Sequence, residues 1–180
     1  RRQGSKRLVV CRPSVAAVGG GVSEAMRLHG ARFADVWEAL SAVQPAIAAA
    51  AARNRSPAGL AGMAAAAEGF AVAGLPAVAA TAQVAAFFRA LGQASANPVF
   101  MMMNEPLMRL LEPSLAIMID QVPQARDRIA GAQRHLLNAV LKGDEPDATA
   151  WMARHIRDFG RGYELAGIPL ATEIAAPMDG

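Results

Sequence analysis

The chain has 180 residues, 53% of them hydrophobic, 18% charged and 5% aromatic, with a formal net charge of +3. That length and apolar content suit one domain with a real core, and they exclude a disordered chain. With aromatics so scarce, the core has to be built from Ala, Leu, Val, Ile and Met.

The basicity is local. Arg1, Arg2, Lys6, Arg7 and Arg12 place five positive charges in the first twelve residues with no acid among them, which leaves the other 168 residues at about −2. Phosphate binding is therefore expected only at the N-terminus, where the plainer reading is a solvated basic tail. Cys11 is the single cysteine, so no internal disulfide forms, which fits a reducing, cytoplasmic setting. Leu8-Val9-Val10-Cys11 is too short for a signal-peptide core and runs into Arg12-Pro13. Residues 58–88 carry Glu68 as their only formal charge, but they are mostly alanine and glycine and are divided at Gly74-Leu75-Pro76, so no membrane span is expected.

Residues 1–13 read as a turn followed by a short strand, and Gly19-Gly20-Gly21 as a linker. Beyond them helix formers and 3.6-residue spacing prevail. Ser23 caps a short predicted helix over 24–29, closed by His29 and Gly30. Asp35 opens a long one to Asn54 with Val36, Leu40, Val43 and Ile47 on one side and a bend at Pro45. Ser56-Pro57 starts a third, reaching Ala73. A fourth runs from Pro76 to Ser95, and Asn97, in a left-handed conformation, is expected to end it before Pro98. The fifth covers 98–121, bends at Pro106 and Pro113, and is softened by Met101, Met102, Met103 and Met108. Pro123 to Lys142 and Pro146 to Ala166 complete the set. Six to seven helices with short connections predict an all-α fold, an antiparallel bundle.

Enzyme signatures are missing: there is no Gly-x-Ser-x-Gly, phosphate loop, dinucleotide fingerprint or His-Glu-x-x-His, and no catalytic residue is expected. The polar candidates are His135 and His155, on the last two predicted helices across the Gly143-Asp144 turn. That hairpin could point both imidazoles into one interior, where a charge change near neutral pH is available to them. His155 shares a face with Ala148, Trp151, Met152, Phe159 and Tyr163, and His135 lies at the edge of an apolar stripe with Ala132, Leu136 and Ala139. A histidine so placed is either a hydrogen-bonded core residue or a contact for a bound molecule. Arg89 and Arg109 read as surface charges.

Four segments in register resemble one family. They are Arg2-x-Gly4-Ser5 with Leu8-Val9-Val10 and Arg12-Pro13; Asp35-Val36-Trp37-Glu38-Ala39 with Pro45 and the Ala49–Arg53 run; Phe87-Phe88-Arg89-Ala90-Leu91 with Ala94-Ser95-Ala96-Asn97-Pro98; and His135, Gly143-Asp144, Ala148, Met152 and His155. Together they are similar to the C-terminal effector-binding (FCD-type) domain of GntR-family transcription regulators, FadR subgroup, over residues 1–165. The resemblance implies that 1–13 are the remnant of a winged helix-turn-helix wing and linker, 14–170 the helical effector-binding and dimerisation domain, and 171–180 a flexible tail. It implies a homodimer, a small-molecule effector held in the bundle, and DNA contact only through an upstream winged-helix domain absent from this chain.

The resemblance also locates departures. Many members hold a divalent metal with an Asp-x-x-x-His pair and two later histidines; the pair falls here on Val84 and Phe88, leaving His135 and His155 of the usual set, so no cofactor is expected. An arginine and a glutamate common on the first long helix fall on Leu40 and Gln44. The implied ligand-binding set is His135, His155, Phe88, Val84, Leu40, Gln44 and Met102, with an effector that is largely apolar. The expected function is effector sensing and dimerisation in a bacterial transcription regulator; the alternative is a dimerisation module whose pocket is filled by side chains and takes no effector.

Overall fold

Four helix starts are written in capping residues. The Ser14 hydroxyl accepts from the Ala17 N–H, Ser56 from Gly59, Asn97 from Val99 and Phe100, and Asp144 from Asp147. Three of those helices also carry proline in the first turn, where its missing N–H is not needed. The computed structural model describes residues 13–174, and within them the chain forms seven helices: α1 Val15–Leu28, α2 Phe33–Asn54, α3 Pro57–Phe70, α4 Ala77–Ala94, α5 Pro98–Gln121, α6 Ala125–Lys142 and α7 Glu145–Leu165. The fold is all-α. The expected wing remnant falls almost entirely outside the described residues.

Gly30 and Gly143 close α1 and α6 with φ of 72° and 73°, the left-handed conformation glycine takes without strain. Between α4 and α5 the left-handed residue is Ala96, with φ of 50°, not Asn97 as the sequence suggests. Asn97 is extended because its side chain caps α5, and a cap needs that backbone. α5 runs unbroken through Pro106 and Pro113, and α2 through Pro45.

Two boundaries differ from the sequence reading. The triple glycine is not a linker: helix α1 begins at Val15, capped by Ser14 rather than Ser23, and includes all three glycines. A Cβ on Gly19 would overlap the Glu105 side chain, so glycine lets α1 lie directly on α5. The expected tail also begins too early. The carbonyls of Leu170 and Thr172 accept from the Ala34 and Phe33 N–H groups at 2.7 and 3.1 Å, and the Ile174 N–H donates to Ala31 at 2.9 Å. These bonds satisfy donors that the start of α2 leaves open, and Ile174 is buried. Residues 175–180 lie outside the described residues.

The main packings are α3 on α4, α2 on α7, α4 on α5 and α6 on α7, while α1 docks on α5. The seam between α3 and α4 is made of small residues. Gly59 meets the backbone of Ala94, Gly62 meets Ala90, and Gly69 meets the end of Gln83. Alanine-rich sequence thus becomes close helix approach rather than disorder. Among the described residues no helix is long and apolar enough to cross a membrane.

Gly59→Ala should force α3 away from the α4 backbone and destabilise the protein by about 1–3 kcal/mol. Gly131→Ala, on α6 with open space around it, should be neutral or stabilising by up to ~1 kcal/mol. Urea denaturation of both variants checks the pair, and equal effects would refute the close seam.

Candidate functional site

The centre of the bundle is fixed by the way α7 lies against α2 and α6. Phe33 packs on Tyr163 at one end (ring centroids 5.6 Å apart), and Arg53 pairs with Glu145 at the other (2.6 Å). The two helices are therefore antiparallel, and Gln44 falls opposite the turn of α7 that carries Met152 and His155. The α6–α7 hairpin turns at Gly143, and His135 stacks on Trp151 at 3.9 Å, so Gln133 falls at the same level. From α4, the Phe88 ring lies nearly parallel to the His155 imidazole at 5.8 Å and 12°. From α5, Asn104 donates from Nδ2 to the Phe88 carbonyl at 2.8 Å and accepts at Oδ1 from Gln44 Nε2 at 2.5 Å.

This is one polar layer across an apolar interior. Gln44, Asn104, Gln133 and His155 are each at most 2% exposed. Gln44 Oε1, both amide atoms of Gln133, and His155 Nε2 have no hydrogen-bond partner among the described residues. Buried polar atoms usually find one, since each unpaired group costs about 1–3 kcal/mol. Around the layer stand Leu40, Val84, Phe88, Met152 and Phe159, all buried. The space beside it is small. One cavity of about 10 Å³ is lined by Trp37, Leu40, Phe88, Met108, Ile156 and Phe159 among others, and one of about 20 Å³ by Met118, Ile129, His155 and Phe159 among others. Each has room for about one water molecule.

Five of the seven residues singled out from the sequence meet in this interior: Leu40, Gln44, Val84, Phe88 and His155. Two do not. Met102 is 46% exposed on the outer side of α5 and forms no part of the wall. His135 is exposed too, its ring flat against Trp151 on the outside of the hairpin. The hairpin does not bring two imidazoles together. The residue that α6 turns inward is Gln133, which the sequence reading missed. The signal was present: Ile129, Gln133, Leu136 and Val140 recur at helical spacing on one buried stripe, and His135 lies off it.

None of the four side chains of the layer is charged; Arg128 and Asp158 line the cavity beside His155 as a pair of opposite charges. Burial pushes the His155 imidazole down from its ordinary 6.5 to about 3, so it stays neutral and is no switch near neutral pH. A cluster of ion pairs on α4 and α5 faces the other way. Arg89 and Arg109 are not free surface charges: they grip the buried Glu105 carboxylate at 2.6 and 3.0 Å beneath α1, and Arg89 also reaches Glu112 at 3.0 Å. Burial works to raise the Glu105 carboxyl, but hydrogen bonds from Arg89 and then Arg109 outweigh it and hold it below the usual range.

Residues 35–158 match the family model described as FCD domain, a span that begins in the first turn of α2 and ends in α7, three residues past His155. The chain belongs to the FCD domain family. FCD domains are the C-terminal, effector-binding regulatory domains of GntR-family transcription regulators. No curated protein and no solved structure matches the chain.

The metal that many FCD domains hold does not fit the residues of this one. Val84 and Phe88 stand where two ligands are expected, and both are buried hydrocarbon. Phe88 covers a face of His155, and His135 points outward. Among the described residues no three His, Cys, Asp or Glu side chains gather as a metal site.

His155 gives the FCD fold a specific acid response. Below pH 6.5 the unfolded imidazole takes a proton that the folded one refuses down to about pH 3. Its contribution to stability is therefore constant above pH 6.5 and falls by about 1.4 kcal/mol per pH unit below it. Urea titrations at pH 7, 6 and 5 should show this slope in the native protein and a shallower one in His155→Phe. Equal slopes would place the imidazole in contact with water.

Proposed function

We propose that this FCD domain is the effector-sensing and dimerisation half of a bacterial transcription regulator, acting in the cytoplasm as a homodimer. The observation that carries this reading is the polar layer. A packed core has no use for four buried amide and imidazole atoms without partners, whereas a bound molecule would satisfy them. The wall of Leu40, Val84, Phe88 and Met152 would hold the molecule's apolar part. DNA affinity would come from a winged-helix domain joined upstream of α1, since base readout needs a recognition helix, and the FCD bundle alone would make no footprint on an operator.

The mechanism is a shift between dimer geometries. An effector that binds one geometry more tightly moves the equilibrium by its differential affinity, typically 1–3 kcal/mol of coupling, and operator affinity follows. No metal enters this scheme.

A second reading is favoured by the small cavities. If side chains fill the centre permanently, the FCD bundle is a dimerisation module that senses nothing. Native mass spectrometry under mild and then denaturing conditions separates the two. The sensing reading expects a dimer that carries an organic mass, lost on denaturation, with no stoichiometric metal. A dimer with no added mass, even after incubation with extract metabolites, would establish the filled module, and a monomer at micromolar concentration would sink both.

A further inference from the structure

The chemistry of the unpaired atoms narrows the ligand. Gln133 presents a whole carboxamide, one acceptor and one N–H₂ donor on a single edge, buried and unpaired at both ends. The group that satisfies such an edge in one step is another cis-amide edge, which returns an N–H to Oε1 and a carbonyl to Nε2. An ionised carboxylate cannot: it accepts only, so Gln133 Oε1 would face a second acceptor. Gln44 Oε1 offers one more acceptor at the same level, and His155 Nε2 offers a donor or an acceptor according to tautomer. Arg89 and Arg109 are spent on Glu105 on the α1 side of α4 and α5, and the Arg128 that lines the cavity beside His155 is accompanied there by Asp158, so that lining carries no net charge for a ligand to balance. An ionised ligand would therefore gain no net counter-charge there, and burying it costs more than burying a neutral one. The flat faces available for stacking are those of Phe88, Phe159 and Trp37, which line the apolar cavity next to the layer, with Phe88 also stacked on His155.

We propose that this domain binds an uncharged ligand through a primary amide or lactam edge, paired head to head with Gln133, its carbonyl also accepting from His155 and, in a primary amide, its second N–H donating to Gln44, without a metal ion. This rests on the effector-sensing reading and adds the ligand class and Gln133 as its principal contact. The closed interior holds no more than about one water in each cavity, so a lactam ring enters by displacing side chains. Phe88 lies between the polar layer and the cavity, and the unbranched Met108 and Met118 line the cavities and adapt at low strain.

The test uses the full chain, with 2-pyrrolidinone as the neutral probe, cyclobutanecarboxylate as an ionised probe of similar size, and zinc chloride alone. Binding is followed by NMR of the Gln133 side-chain N–H₂ pair and the His155 ring. The lactam should move both sets of signals in a saturable way, zinc should move neither, and the carboxylate should bind at least about tenfold more weakly. Gln133→Leu should weaken lactam binding by about tenfold while remaining folded, because it replaces an unpaired buried amide with hydrocarbon.

Preferential binding of the carboxylate at these signals would overturn the proposed ligand class and leave the effector reading standing. Zinc-dependent binding would overturn the metal-free claim. Lactam binding that Gln133→Leu does not weaken would remove Gln133 from the site. If no probe moves either set of signals, the amide pairing is wrong, and native mass spectrometry still decides separately whether the domain carries an effector.

Discussion

The hydrogen-bond chain from Gln44 to Asn104 to the Phe88 carbonyl sets the register of three helices at once. In most cores, interlocking large side chains do this. Here much of the interior is alanine, and α3 and α4 meet through glycine and alanine. Small side chains allow close approach but hold one helix against its neighbour only weakly, since a smooth seam can slide. A buried amide pair cannot slide without leaving polar groups unpaired, so two hydrogen bonds at the centre define what the alanine surfaces leave open. The aromatic residues add to this where they are concentrated. Phe33, Trp37, Phe159 and Tyr163 pack together where the start of α2 meets the end of α7, and the Tyr163 hydroxyl bonds to Ser114 on α5 at 2.8 Å.

The polar layer itself is built without charge. Leu40 and Val84 are hydrocarbon, Gln44 and Gln133 are neutral amides, and His155 is kept neutral by burial. Isolated substitutions in a charged pocket would leave some charge without its partner, at a cost of several kcal/mol. Within the layer nothing of that kind remains, and the Arg128 and Asp158 that line the cavity beside His155 are of opposite sign. The four positions of the layer agree in carrying no charge, which is the arrangement that the uncharged ligand proposed above would need.

Helix number and order were legible in the sequence because Ser56-Pro57, Asn97-Pro98 and Gly143-Asp144 are local signals, each read by the backbone within three residues. What failed depended on distant contacts. Gly19-Gly20-Gly21 resembles a linker until Glu105, eighty-six residues later in the chain, is found packed on Gly19. The pairing of Arg109 with Glu105 has helical i, i+4 spacing, but Arg89 joins them from another helix, and no local pattern encodes that. His135 departs from expectation for another reason. Histidine draws the eye as a chemical group, whereas the stripe Ile129, Gln133, Leu136, Val140 obeys geometry. On α6, geometry decided which side chain faces inward.

The polar layer and the clamp under α1 share their supports. On α4, Phe88 faces the layer and Arg89, its neighbour, reaches outward to Glu105. On α5, Asn104 bonds within the layer and Glu105, its neighbour, carries the clamp. Adjacent helical residues point about 100° apart, so one turn of each helix serves both sides. A shift of α4 against α5 large enough to break the Asn104 bond to Phe88 must also change the distance from Arg89 to Glu105. Since α1 rests on Glu105 with only a glycine between, its seat moves with them. The interior is thereby tied to the helix that leads back toward the N-terminus by two dipeptides, Phe88-Arg89 and Asn104-Glu105, rather than through the whole of the core.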